Sequence, residues 1–166
     1  MNEAHLHLLV NHFPIIGSIF GLGILLAGIF LKNNSVKNTA YIVFIVASVF
    51  TIASMATGEG AEEIAESLPN VGHDIIHEHE EIAEKFAIVM YLLGITSLLG
   101  LFLNIKEHAK AKFMAFAVLI IAIVSVTLSK SVGTTGGEIR HTEIREGAQN
   151  QTTTENHSEE GSEENH

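Results

Sequence analysis

Four apolar stretches, residues 8–31, 40–56, 86–105 and 113–128, leave this chain few folds to choose from. A helix needs ~20 residues to cross the hydrocarbon of a bilayer, and roughly 17 at the least. The first and third stretches meet that length outright. The second and fourth reach it by taking in neighbours, Thr57 and Gly58 in one case and Ser129 to Val132, with the charged Lys130 among them, in the other. None of the four carries the polar face that a helix on the surface of a water-soluble bundle requires. Backbone groups in hydrocarbon have to be satisfied within the segment, so each stretch is expected to be a helix. The fold class that follows is all-α, an integral membrane four-helix bundle built from two helical hairpins.

The connecting segments differ sharply in charge. Between the second and third stretches lie Glu59, Glu62, Glu63, Glu66, Asp74, Glu78, Glu80, Glu81 and Glu84, and a second acidic run extends from residue 138 to 164. These account for most of the net charge of -10. The other two turns are short and basic, with Lys32 and Lys37 in one and Lys106, Lys110 and Lys112 in the other. Short Lys-rich loops face the cytoplasm, which puts both termini and the acidic loop on the outer side of a bacterial inner membrane. No basic n-region followed by a small-residue cleavage site precedes the first span, so that span is expected to be retained. A chain without cysteine has no disulfide, no thiolate ligand and no covalent c-type haem attachment. Nothing in it is basic enough for nucleic acid. No nucleophile–base pair, P-loop or dinucleotide fingerprint points to an enzyme.

Local signals refine this outline. Gly17-Ser18-Ile19-Phe20-Gly21 is a small-xxx-small pattern that admits close helix approach, either in a homo-oligomer or inside the bundle, and Gly28 continues that face. Residues 61–67 read as a continuation of the second helix, Pro69, Asn70 and Gly72 as the turn, and His73 as the start of the third helix. Along that helix Ile75 or Ile76, His79, Ile82, Ala83, Phe86, Met90 and Leu93 fall on one face, which aims His79 at the bundle. Gly133-Thr134-Thr135-Gly136-Gly137 is expected to break the fourth helix. Residues 1–141 then form the transmembrane domain, and 142–166 an acidic tail too polar to order itself. A short internal repeat is also visible. Each half opens on a histidine (His12; His79) and closes on Thr-Gly with Glu after it, at Thr57-Gly58-Glu59 and Thr135-Gly136-Gly137-Glu138. It predicts His12 and His79 at equivalent positions.

Ten histidines are the chemistry-bearing feature. Imidazole in or near hydrocarbon is costly without a partner, so His5, His7, His12, His73, His77, His79 and His141, gathered towards one side, point to a bound metal or haem. Two neutral imidazoles on different helices are the protein half of a b-type haem site. His12 and His79 are the expected axial pair, with His7 and His141 as supporting groups. Ala83, Ile16 and the Gly136-Gly137 pair would supply the small and apolar surroundings. A second reading uses the same end of the molecule for a divalent transition metal such as Zn, Cu or Fe, held by His73, His77 and Glu80. The acid–imidazole pairs Asp74/His77 and Glu138/His141 have the three-residue spacing of di-metal carboxylate bundles. A third reading is a cofactor-free subunit of a respiratory or transport complex. His5, His73, His108, His157 and His166 are most simply surface groups.

His7-Leu8-Leu9-Val10-Asn11-His12-Phe13-Pro14 (a His-x4-His-Phe-Pro first helix), with Ala56-Thr57-Gly58 and the closing Thr135-Gly136-Gly137-Glu138-Ile139, resembles an uncharacterised family of small bacterial four-helix membrane proteins. Those proteins open on His-Pro-x-x-Val-His-Phe-Pro. The resemblance covers about residues 5 to 145. It implies binding of haem b, a link to cytochrome c-type domains, and carry-over of roles to His7, His12 and His79. Leu8 stands where the family motif has proline, and His141 where it has tyrosine. Together these readings describe a haem-b electron carrier in the lipid bilayer. It would exchange electrons with a quinone or a membrane oxidoreductase on one side and a cytochrome c-type acceptor on the other.

Overall fold

The computed structural model describes residues 2–69 and 71–145. Helices α1 (Glu3–Val10), α2 (His12–Phe30), α3 (Asn34–Glu66), α4 (His73–Ile105) and α5 (Ala111–Arg140) are followed by a 3-10 turn at Thr142–Ile144. α1 and α2 form one apolar rod interrupted at Asn11, so the bundle has four rods, each long and apolar enough to cross a membrane. Helices adjacent in sequence pack side by side, α2 on α3, α3 on α4 and α4 on α5, and α5 closes back on α2 along the least extensive seam. α1 leans on α3.

The burial pattern is consistent with a multi-pass membrane protein. Tyr41, Phe44, Leu25, Met90, Leu93 and Val118 fill the core, and Ser18, Ser97 and Ser125 are buried among them. Outside, Phe20, Phe30, Ile88, Ile95, Phe113 and Ile120 are 61–79% exposed. Water would not tolerate so continuous an apolar surface. Ser18 returns its hydroxyl to the Ile15 carbonyl (2.8 Å) and Thr51 to that of Ala47 (3.0 Å), Ser125 donates to Met90 Sδ (3.0 Å), and Ser97 Oγ has no partner among the described residues. Small residues also let the helices meet closely. Gly17 abuts Ala47, Gly21 abuts Phe44 and Gly28 abuts Lys37, so the small face of α2 is spent on α3 within the bundle. At the lysine-bearing end, Asn104 ties α4 to α3 by donating to the Asn34 carbonyl (3.0 Å) and Asn38 Oδ1 (2.6 Å).

One expectation is refined and one fails. The first span is a single 28-residue rod, Glu3–Phe30, with a local irregularity. Pro14 has no N–H for the Val10 carbonyl one turn back, and its ring crowds that carbonyl. Asn11 keeps helical dihedrals (φ -67°, ψ -22°), and its N–H still bonds the His7 carbonyl (2.9 Å). The expected break at residues 133–137 is absent: α5 runs through to Arg140. A glycine inside a helix costs about 1 kcal/mol relative to alanine, and packing of Thr135 and Gly136 against α4 outweighs that here. Arg145 then folds back, donating from Nε to the Glu138 carbonyl (2.8 Å) and from Nη2 to that of Ile139 (3.1 Å). Residues 142–145, assigned above to the tail, therefore cap the end of α5. The remainder of the tail, with His157 and His166, lies outside the described residues, as does Asn70 of the α3–α4 turn.

The two hairpin turns use the same device. Lys32 and Glu107 both take φ of 51°. Each is followed by a residue whose N–H reaches five positions back, Asn33 to the Gly28 carbonyl (3.0 Å) and His108 to that of Leu103 (2.9 Å). This is a Schellman ending in which glycine is the usual left-handed residue. Lys32→Gly and Glu107→Gly should each stabilise the protein by about 1 kcal/mol, the scale of the left-handed penalty for a side chain. Unfolding in detergent measures this; no gain would mean the turns differ in solution.

Candidate functional site

The N-terminal helix, the α3–α4 connection and the end of α5 meet at one end of the bundle, and two imidazoles sit there half-buried. His7, on α1, points its Nδ1 at the Ser54 carbonyl (3.1 Å) and at Thr57 Oγ (3.2 Å), both on α3. A carbonyl can only accept, so Nδ1 carries the proton. Thr57 agrees with this, because its own hydroxyl proton goes to the Ala53 carbonyl (3.0 Å) or that of Ser54 (3.1 Å) and leaves the oxygen free to accept. His79, on α4, is held in the same way. Its Nδ1 lies 2.9 Å from Thr135 Oγ on α5, and Thr135 donates to the Ser131 carbonyl (3.0 Å).

The Ser54 carbonyl thus fixes His7 with Nδ1 protonated, and a Thr135 hydroxyl that donates to Ser131 suits the same tautomer at His79, which leaves each Nε2 lone pair unspent. Among the described residues no hydrogen bond engages either Nε2. This is how proteins hold an imidazole that ligates a metal, with the second ring nitrogen fixed by an outer acceptor. Gly136 leaves room for the His79 ring: a Cβ there would lie 3.0 Å from its Cε1. His7 and His79 are within electrostatic reach of one another, and His12 is within reach of His7. Asn11, at the α1–α2 junction, buries its Oδ1 without a partner among the described residues.

The internal repeat therefore holds in altered form. Each hairpin carries a histidine on its first helical rod bonded to a threonine on its second, His7 to Thr57 and His79 to Thr135, at sequence separations of 50 and 56. The histidine equivalent to His79 is His7. His12 is exposed and turns its Nδ1 back to the Leu8 carbonyl (3.2 Å). Helical geometry explains the exchange. Five residues at 3.6 per turn separate His7 and His12 by roughly 140° around the axis, so one ring faces α3 and the other faces away. Ser54, Thr57 and Thr135 were missed as ring partners, although both threonines lie in the Thr-Gly motifs that ended each half.

The remaining candidates lie apart from this pair. His141 is exposed at the end of α5, with Nδ1 2.8 Å from Glu143 Oε1. The Glu143 carboxyl is held below its usual value by its own backbone N–H and then by the His141 ring. His77 lies 3.8 Å from Glu80 and 3.6 Å from Glu81, on the water-facing side of α4. His73 instead turns towards α3, with Nδ1 2.9 Å from Glu66. The trio expected to bind a divalent metal, His73, His77 and Glu80, does not converge. The group that does is Glu62, Glu66 and His73, whose ligand atoms all lie within 4.8 Å of one another. Glu62 and Glu66, one turn apart on α3, were the missed signal. Neither Asp74/His77 nor Glu138/His141 forms an acid–imidazole pair, because His77 is with Glu80 and Glu81 and His141 is with Glu143.

Comparison with protein-family models, with curated proteins and with solved structures returns no match. The site has to be read from its own chemistry.

Proposed function

We propose that this is a membrane-embedded haem-b-binding protein with an electron-transfer role, in which His7 and His79 would hold the haem. One observation carries the reading: two half-buried imidazoles from opposite hairpins, each anchored through Nδ1–H with Nε2 left to coordinate. That donor set fits a bis-imidazole haem, and a chain without cysteine can hold it only non-covalently. Haem supplies one-electron redox chemistry when bound. The chain's own residues set the site. Thr57, Ser54 and Thr135 orient the rings, Gly136 gives clearance, and Asn11 Oδ1, without a partner among the described residues, can accept a hydrogen bond from a group at the site edge. His12 and His141 are both exposed and lie outside the pair. The resemblance to the small four-helix membrane family supports the same cofactor. Lys32, Lys106, Lys110 and Lys112 at the opposite end support an outer, extracytoplasmic placement of the histidines in a bacterial inner membrane. Quinol or a membrane oxidoreductase would then be the electron donor and a cytochrome c-type protein the acceptor.

Protein purified from haem-replete cells should show the α and Soret bands of six-coordinate low-spin haem when reduced with dithionite. A colourless preparation overturns the reading. The convergence of Glu62, Glu66 and His73 favours a second reading, a divalent-metal site clipping α3 to α4. Elemental analysis of the same sample tests it, and less than about a tenth of an equivalent of any transition metal would dismiss it.

A further inference from the structure

The closing seam between α2 and α5 is not filled. An open cleft of about 640 Å³ runs along it, walled by Ile15 and Ile19 from α2 and by Val126, Lys130, Gly133 and Thr134 from α5. Its volume falls within the ~300–1,000 Å³ typical of ligand-binding clefts. The gap exists because Gly133 has no side chain, and a Cβ there would meet nothing within 4 Å. The wall is apolar in effect. Ser129 and Thr127 also line it, but they spend their hydroxyls on the Val126 and Ile123 carbonyls of their own helix (both 2.9 Å).

Two donors remain unspent at the histidine-bearing end of the cleft. Lys130 has no carboxylate partner among the described residues, whereas Lys85 is paired with Glu81 (3.3 Å). Thr134, unlike Thr127 and Thr135, makes no hydrogen bond to its own helix among the described residues. Lys130 and Thr134 are one turn apart on one face. Lys130 lies two residues beyond the apolar stretch 113–128, and a lysine near the end of a span reaches out to headgroup level. Apolar walls with a cation and a hydroxyl at the mouth are the complement of one anionic head carrying a hydrocarbon chain. A neutral quinone would leave the cation unmatched.

We propose that the α2–α5 cleft seats one anionic phospholipid, its phosphate on Lys130 and Thr134 and an acyl chain against Ile15, Ile19 and Val126. The site is independent of the haem reading and stands or falls separately. Native mass spectrometry of the full chain, titrated with phosphatidylglycerol or with phosphatidylcholine of matched chains, tests it. The expected result is a single phosphatidylglycerol adduct retained preferentially over phosphatidylcholine. Lys130→Gln should weaken it about tenfold, the scale of one charge-assisted contact. Gly133→Phe, which fills the cleft without meeting another atom at Cβ, should abolish the adduct, and Lys85→Gln should leave it unchanged. Equal retention of the two lipids, full retention by Lys130→Gln, or a bound neutral quinone in place of lipid would each overturn the proposal. Lys130 is exposed, so its variant keeps the test decisive even if the bulkier one does not fold.

Discussion

His79→Ala and His7→Ala are each expected to remove the reduced α and Soret bands entirely, while His12→Ala keeps them. The contrast follows from where the rings point. His7 and His79 have Nδ1 anchored on the opposite helix of their own hairpin, whereas His12 is exposed and bonded to its own backbone. The anchors are separately testable. Thr135→Val keeps the shape of the side chain but removes the acceptor for His79 Nδ1–H. Loss of such an outer partner typically weakens cofactor binding about 10–100-fold. Thr135→Ser restores an acceptor and should restore binding. Haem titration of apoprotein, followed at the Soret band, reads both effects. Should His12→Ala bleach the protein while His7→Ala does not, the ligand assignment made from the structure is wrong and the one made from the His-Phe-Pro motif is right.

The second large effect concerns stability. Gly17→Leu and Gly28→Leu are each expected to cost about 3 kcal/mol, the upper part of the usual range for overpacking. Even the first added carbon has nowhere to go. At Gly17 a Cβ would lie 2.6 Å from the Ala47 Cβ, and at Gly28 it would lie 2.8 Å from the Lys37 backbone nitrogen. Neither neighbour is the movable end of a flexible side chain, so α2 must separate from α3. Gly23 is the control on the same helix. It meets nothing within 4 Å, and Gly23→Ala should gain up to about 1 kcal/mol from helix propensity. Unfolding in mixed detergent micelles separates the three. Equal stability of Gly17→Leu and Gly23→Ala would mean that α2 does not lie against α3 as described.

Much of this architecture was legible in the residues. The lengths of the apolar runs announced four rods long and apolar enough to cross a membrane, and the Pro69 to Gly72 signal placed the start of α4 at His73. The stripe through Ile76, Phe86, Met90 and Leu93 is the buried face of α4. Local chemistry decides such features, because in hydrocarbon each segment has to satisfy its own backbone. The site was half legible. His79 belongs to the stripe, and its inward aim follows from periodicity alone. Its counterpart was misplaced because His7 and His12 lie roughly 140° apart around the same rod, and because the repeat aligns motifs rather than ring directions.

What the amino-acid order determined unaided was therefore the number of rods, their hairpin pairing, the charge difference between the two ends and the histidine-rich character of one of them. Which imidazole faces the interior, which threonine holds it, that α5 passes unbroken through its glycines and that the α2–α5 seam stays open were settled only by packing. The reason is geometric. A side chain's direction depends on the rotation of its helix about its own axis, and that rotation is chosen by contacts such as Gly17 with Ala47 and Gly136 with His79, between residues far apart in the chain.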